Sequence, residues 1–131
     1  MKYTYTATFI PKEDGSGYLC RVPDLPGCIS SGDTLEDAID MISDAAGVWL
    51  CVAEDEELDI AAPTPQDRIK REPNEILSLI RVDTIAYRAK TDTRAVRKNV
   101  SLPAWMARLA DKRGINCSQI LQEGLLAKLN A

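Results

Sequence analysis

Hydrophobic and polar residues alternate strictly along the first ten positions. One side of an extended chain is aromatic or small and apolar: Tyr3, Tyr5, Ala7 and Phe9. The other side is polar: Lys2, Thr4, Thr6 and Thr8. A two-residue period in aromatic and β-branched residues predicts a β-strand over 2–10, and Pro11 ends it.

Two shorter strands are predicted next, at 18–22 and 28–31. Gly15 and Gly17 lie in the turn before the first of them. A rigid turn over 23–27, with two prolines and a glycine, precedes the second. The pattern predicts a three-stranded meander.

The hydrophobic period then lengthens to that of a helix. The apolar positions form one stripe along the predicted helix, which comprises Leu35, Ala38, Ile39, Ile42, Ala45, Ala46, Trp49, Leu50 and Ala53. Thr34 is a suitable N-cap, and Asp37 three residues on completes an approximate capping box. Four consecutive acids over 54–57 oppose the helix macrodipole, so we expect the helix to end near Ala53.

A connection over 58–75 follows, and its three prolines leave open whether it is ordered or loose. Residues 76–82 are apolar enough for a last strand. The order strand, strand, strand, helix, strand predicts an α+β layer with one helix against a small sheet.

Two segments of this region carry a family resemblance. DLPGC at 24–28, followed by GDTLEDA at 32–38, resembles the signature of the HicB antitoxin family. The resemblance runs from about residue 3 to residue 88. It implies a truncated ribonuclease-H-like fold that binds and blocks the HicA toxin, a small basic mRNA-cleaving protein.

The residue pattern at the end of the chain predicts a strand at 94–102, a helix at 103–113 and a second helix capped by Asn116. About 38 residues are too few for an independent core, so we expect dimerisation. Two copies would pair their strands as an antiparallel ribbon, with four helices closing over its apolar face. The expected dimer core comprises Val96, Val100, Leu102, Trp105, Leu109, Ile120 and Leu125.

This arrangement resembles the ribbon–helix–helix family of DNA-binding repressors. The resemblance implies that Arg97, Asn99 and Ser101 read bases, and that the backbone amides of Cys117 and Ser118 hold a phosphate. Arginine commonly pairs with guanine and asparagine with adenine, and a ribbon fits the major groove. A capped helix start is an anion site. The alternative is that Arg97 and Asn99 are simply exposed polar residues of an edge strand.

The net charge of −4 is divided between the two parts. Residues 1–92 hold nine basic and eighteen acidic residues, a net of −9, whereas residues 93–131 hold seven basic and two acidic, a net of +5. An acidic module suits a basic protein partner. A basic tail is attracted to nucleic acid.

The chain contains no histidine, which excludes Ser-His-Asp and Cys-His catalysis and histidine metal sites. Four cysteines without C-x-x-C spacing, and no signal peptide or membrane span, indicate reduced thiols in the cytoplasm. We expect no metal and no cofactor. Two-metal nuclease chemistry needs clustered carboxylates, and the first strand carries none.

The sequence therefore predicts a non-enzymatic antitoxin with no catalytic residue. Residues 1–90 would bind a HicA-like toxin, and residues 93–131 would bind operator DNA as a homodimer or higher homo-oligomer, with no membrane partner. The alternative is a stand-alone ribbon–helix–helix regulator with an N-terminal sensing domain. A metal-dependent nuclease is the third class.

Overall fold

The structure is a computed structural model that describes residues 1–130. The chain divides into two compact units, Met1–Thr91 and Asp92–Ala131. The first unit contains four strands and two helices, and the second contains two helices. Each unit is described by itself below.

The first unit is built on a four-stranded antiparallel sheet. The strands are β1 (Lys2–Pro11), β2 (Tyr18–Arg21), β3 (Ile29–Gly32) and β4 (Ile76–Asp83), in the order β3-β2-β1-β4. All four predicted strands are confirmed, with bounds that differ by about one residue. The predicted α+β class is confirmed as a mixed sheet-and-helix unit.

Helix α1 (Leu35–Asp55) covers one face of this sheet. The predicted N-cap is confirmed, because the side chain of Thr34 accepts a hydrogen bond of 3.1 Å from the backbone N–H of Asp37. The helix ends at Asp55, two residues beyond the predicted end near Ala53. Glu54 accepts hydrogen bonds from three side chains, which offsets its unfavourable charge at the helix end.

The core lies between α1 and the sheet face of β1 that was predicted to be apolar. Tyr5, Ala7 and Phe9 are buried there, and Ile42 and Leu50 pack on them from α1. Thr6 and Thr8, on the opposite face of β1, are also buried. They are small side chains that lie directly opposite Leu79 and Leu77 of the neighbouring strand.

The connection over 58–75 is held to the sheet layer at two points. The hydroxyl of Tyr5 donates to the carbonyl of Ala61. Asp24 accepts from the backbone N–H of Thr64 at 2.8 Å and from its hydroxyl at 2.6 Å. A single 3-10 turn, Gln66–Arg68, follows. These contacts hold the part of the connection around Ala61 and Thr64 against the sheet layer.

Helix α2 (Thr84–Thr91) was not predicted. The carboxylate of Asp83 starts it by accepting from the backbone N–H groups of Ile85 and Ala86, at 3.1 and 3.2 Å. The ring of Tyr87 packs on α1 at Gly47, where an added Cβ would lie only 2.7 Å from the Cδ2 atom. Gly47 is therefore the residue that lets α2 approach α1.

The second unit contains α3 (Ala104–Lys112) and α4 (Cys117–Leu129), as predicted. Gly114, with a φ of 63°, ends α3 in the left-handed conformation that glycine favours. Asn116 caps α4 by accepting from the N–H of Gln119 at 3.2 Å.

The predicted strand over 94–102 is absent from the single chain. Residues 95–102 make no backbone–backbone hydrogen bond within the described chain, 1–130. A strand exists only through hydrogen bonds to a neighbour, and one copy of this chain offers none.

Candidate functional site

The second unit has almost no interior of its own. Of its described residues, 92–130, none is buried, and only Ala107 and Ala110 are even half-buried. Two helices with apolar side chains would normally pack those side chains away from water. The unit therefore presents its apolar residues to solvent.

All seven residues of the predicted dimer core lie exposed in the single chain. Their exposed fractions range from 42% for Leu109 to 89% for Val96. Val100, Leu102 and Ile120 line an open groove of about 440 Å³, whereas the other four residues are not part of its lining. One copy of the chain brings part of the predicted core together and leaves it uncovered.

The predicted DNA-contacting side chains are free in the structure. Arg97, Asn99 and Ser101 are exposed, and within residues 1–130 they make no hydrogen bond or ion pair to the protein. Arg94 differs from them, because its guanidinium pairs with Asp92 at 2.9 Å. Because residues 94–102 form no ribbon in the single chain, the structure does not show these three side chains on one face of a strand.

Cys117 and Ser118 form the first turn of α4, as the sequence predicted. They line the same groove as Lys98. Within the described chain their backbone N–H groups have no hydrogen-bond partner, which is normal for a first helical turn. Free amides at a helix start, with a lysine beside them, suit an anion.

The acids predicted on the solvent face of α1 are exposed, namely Glu36, Asp37, Asp40 and Asp44. Asp44 additionally accepts a hydrogen bond of 3.2 Å from the hydroxyl of Tyr87. These acids give α1 an anionic outer side.

Glu54 is the centre of a hydrogen-bond network that the sequence analysis missed. Its carboxylate accepts from the hydroxyl of Tyr3 at 2.7 Å, the hydroxyl of Thr84 at 3.0 Å and the guanidinium of Arg88 at 3.2 Å. Arg88 also pairs with Asp55 at 2.9 Å. The network fixes the start of α2 against the end of α1, and only the three-dimensional fold brings its members together.

This network shifts two pKa values in opposite directions. Burial disfavours the charged form of Glu54, but its hydrogen bonds favour that form more strongly, so its pKa is lowered below the ordinary value. Burial and the neighbouring Glu54 carboxylate raise the pKa of Tyr3 to about 12. The ionised carboxylate and the neutral phenol are the forms that the hydrogen bond requires.

The carboxylates nearest the sheet serve structural roles. Asp24 binds Thr64 and Asp83 caps α2. Among residues 1–130, no three His, Cys, Asp or Glu side chains are grouped to hold a metal ion. Over the same residues, the structure contains no helix with the length and apolar character needed to cross a membrane.

The first unit also contains an open cleft of about 610 Å³ between α1, β4 and α2. Its lining mixes acidic and basic side chains, including Asp40, Asp44, Arg81 and Lys90.

These features define a two-part chain, in which an acidic α+β unit precedes a basic helical unit with uncovered apolar side chains. A family model described as "HicB_like antitoxin of bacterial toxin-antitoxin system" matches residues 5–130. The chain belongs to this HicB-like antitoxin family, and the resemblance seen in the sequence is confirmed. It is therefore an antitoxin of the toxin–antitoxin type, a family not known as enzymes.

A curated relative is 30% identical over 99 residues, covering 73% of this chain and 71% of its own length. It is an uncharacterized 14.9 kDa protein from the rep-hol intergenic region of Haemophilus phage HP1.

Two solved structures share the fold over nearly the whole chain. One is the toxin–antitoxin complex from Streptococcus pneumoniae, 21% identical, with a TM-score of 0.59 and coverage of 98% of this chain and 99% of the other. The other is the Burkholderia pseudomallei antitoxin HicB, 24% identical, with a TM-score of 0.55 and coverage of 97% and 98%. A HicA3–HicB3 toxin–antitoxin complex, 21% identical with a TM-score of 0.52, matches 62% of this chain and 99% of its own.

Proposed function

We propose that this chain neutralises a HicA-like, mRNA-cleaving toxin through residues 1–90 and represses its own operon through residues 93–131. It would act in the cytoplasm, without cofactor or catalysis. The observation that carries the proposal is the division of a HicB-like chain into an acidic folded unit, of net charge −8 over residues 1–91, and a basic unit with no buried residue among its described positions, 92–130.

The acidic unit supports a toxin partner on electrostatic grounds. A protein that cleaves mRNA must attract a polyanion, so its active surface is basic. An acidic antitoxin surface speeds the encounter with such a surface and fixes the orientation of the complex. The truncated ribonuclease-H-like description of this unit is part of the proposal, supported by its strand, strand, strand, helix, strand order.

The second unit supports a homodimer, or a higher homo-oligomer, of ribbon–helix–helix type. Pairing residues 94–102 from two copies would supply the backbone hydrogen bonds that one copy lacks. The same step would cover the exposed side chains of the proposed dimer core. Arg97, Asn99 and Ser101 would then face the DNA major groove, with the amides of Cys117 and Ser118 on a phosphate.

Co-expression tests the toxin arm. The product of the adjacent reading frame is expected to stop growth alone, to be harmless together with this chain, and to co-purify with it. A neighbour that neither arrests growth nor binds contradicts the proposal.

Operator binding tests the DNA arm. Arg97→Ala is expected to lose about 1–3 kcal/mol of specific binding and to relax specificity at one base position. Arg108→Ala, which removes the same charge from α3, is the control and should preserve the sequence preference. Equal effects of the two changes, or a chain that stays monomeric at micromolar concentration with a folded second unit, would sink the ribbon arrangement.

The mixed-charge cleft of the first unit favours one alternative, a stand-alone regulator that senses a ligand. In that case operator affinity would respond to a small molecule and no toxin would be encoded nearby. Filling the cleft by Ala86→Trp would then alter regulation without affecting growth.

A further inference from the structure

The outer side of α1 is not uniformly polar. Met41, Val48 and Val52 are exposed by 50%, 47% and 45%. Their spacing of seven and then four residues places them along one side of the helix. We call these three residues the helix stripe.

A second apolar surface lies on the sheet face opposite α1. Leu19, Ile29 and Leu79 are exposed there by 48%, 66% and 57%. The strand register places all three on the side of β1 that carries Thr6, away from the core. We call these three residues the sheet patch.

The two surfaces have opposite charged surroundings. Helix α1 contains no lysine or arginine, and the exposed acids Asp37, Asp40 and Asp44 lie beside the helix stripe. A fourth acid, Asp55, is paired with Arg88 of α2. The exposed charged residues on the sheet-patch face are basic: Arg21 and Arg81 pair with even-numbered positions of β1, as Leu79 does, and Lys2 is itself such a position. Arg81 also lines the cleft that contains Asp40 and Asp44. The acid that lines the cavity beside Leu19 and Ile29 is Glu75, which is buried and accepts a hydrogen bond of 2.8 Å from the backbone N–H of Glu72.

We propose that the helix stripe is the surface that receives the basic, RNA-binding face of the toxin partner. This inference rests on the proposed neutralisation of an mRNA-cleaving protein and names the surface that performs it. An apolar centre with a charged rim is the usual composition of a protein–protein interface. Of the two surfaces, the helix stripe is the one with acids around it, whereas the cationic side chains beside the sheet patch would repel a cationic partner.

Matched lysine substitutions test the inference in the full-length chain. The probe is the small basic protein encoded in the adjacent reading frame, and its binding is measured by calorimetry at one salt concentration. Met41→Lys and Val48→Lys place a cation at the centre of the stripe and should raise Kd by about 30-fold or more, as for central interface residues. Leu79→Lys makes the same change at a similarly exposed residue of the sheet patch and should leave Kd within about threefold.

A charge variant tests the acidic rim separately. Asp40→Asn removes one acid without altering the shape of the stripe. It should slow association and flatten its dependence on salt while changing dissociation little, because rim charges act mainly on the encounter. Circular dichroism and operator binding by each variant report that both units remain folded.

The outcomes separate the inference from the proposed function. If Leu79→Lys weakens toxin binding and the stripe variants do not, the toxin occupies the sheet patch and the inference is overturned. If the stripe variants leave toxin binding unchanged but alter the sedimentation of the chain alone, a second copy occupies the stripe, and the inference is again overturned while neutralisation stands. If the wild-type chain does not bind the probe, both fail together.

Discussion

Gly47→Ala tests the packing of α2 on α1. Gly47 is buried in α1, and an added Cβ would lie 2.7 Å from Cδ2 and 2.8 Å from Cε2 of the Tyr87 ring. Carbon atoms do not approach so closely, so the ring must move. Its hydrogen bond to Asp44, 3.2 Å in the structure, would be strained or lost.

Two opposing effects determine how much Gly47→Ala changes the free energy of unfolding. Alanine in a helix interior is more stable than glycine by about 1 kcal/mol. Overpacking a well-filled contact costs about 1–3 kcal/mol. Gly47→Ala should therefore be neutral or destabilising, by up to about 2 kcal/mol, in the wild-type chain. In a Tyr87→Ala background the clash is gone, and the same change should stabilise the fold by about 1 kcal/mol.

The assay is a double-mutant cycle on the free energy of unfolding in urea, followed by circular dichroism at one fixed chain concentration. The expected coupling between Gly47 and Tyr87 is about 1–3 kcal/mol. Gly124→Ala is the control, because its added Cβ meets no atom within 4 Å and its effect should not depend on Tyr87. If Gly47→Ala stabilised the chain equally in both backgrounds, the packing of the Tyr87 ring on Gly47 would be refuted.

Two further predictions concern acid stability and thiol reactivity. Because the pKa of Glu54 is lowered in the folded chain, its ionised form contributes stability above its unfolded pKa, and that stability is lost as the pH falls through the folded pKa. Glu54→Gln should thus lower the free energy of unfolding by about 1 kcal/mol at neutral pH, with the gap closing below about pH 4; a gap that persists in acid contradicts this. A thiol reagent should modify the exposed Cys117 first and the buried Cys28, whose pKa burial raises to about 11, only on unfolding. Operator DNA should protect Cys117 as read by mass spectrometry, and unchanged labelling in its presence would count against a phosphate at α4.

Local patterns of residues predicted most of the first unit. The alternation in β1 places Tyr5 and Phe9 in the core because a pleated strand turns successive side chains to opposite faces. The start of α1 was predictable because an N-cap such as Thr34 acts within three residues. Both signals are local, so no knowledge of the fold was needed.

Helix α2 could not be predicted from local patterns of residues. Half of its eight residues are polar, and the helix is too short for its apolar residues to show a helical period. Tyr87 and Arg88 hold it to residues more than thirty positions earlier, through contacts that a sequence pattern does not contain. The one local signal was Asp83, an N-cap residue immediately before the helix.

The segment 94–102 shows a different limit. Its alternation predicts a strand, yet a single copy of the chain forms none there. In the proposed ribbon, the hydrogen bonds would come from a second copy. The sequence did not predict the helix stripe either. Met41, Val48 and Val52 lie outside the face of α1 that packs on the sheet, so the pattern of buried positions does not include them.

The uncovered side chains of the second unit have a consequence for how long the chain survives. If two copies must associate to cover them, the covered fraction falls as the supply of chains falls, because association depends on concentration. A solitary copy leaves residues 95–102 without backbone hydrogen bonds, which is the kind of segment that a protease can accept in its cleft. Interrupted synthesis would then accelerate the removal of the remaining copies, so the inhibition of the toxin would decline faster than dilution by growth alone would cause.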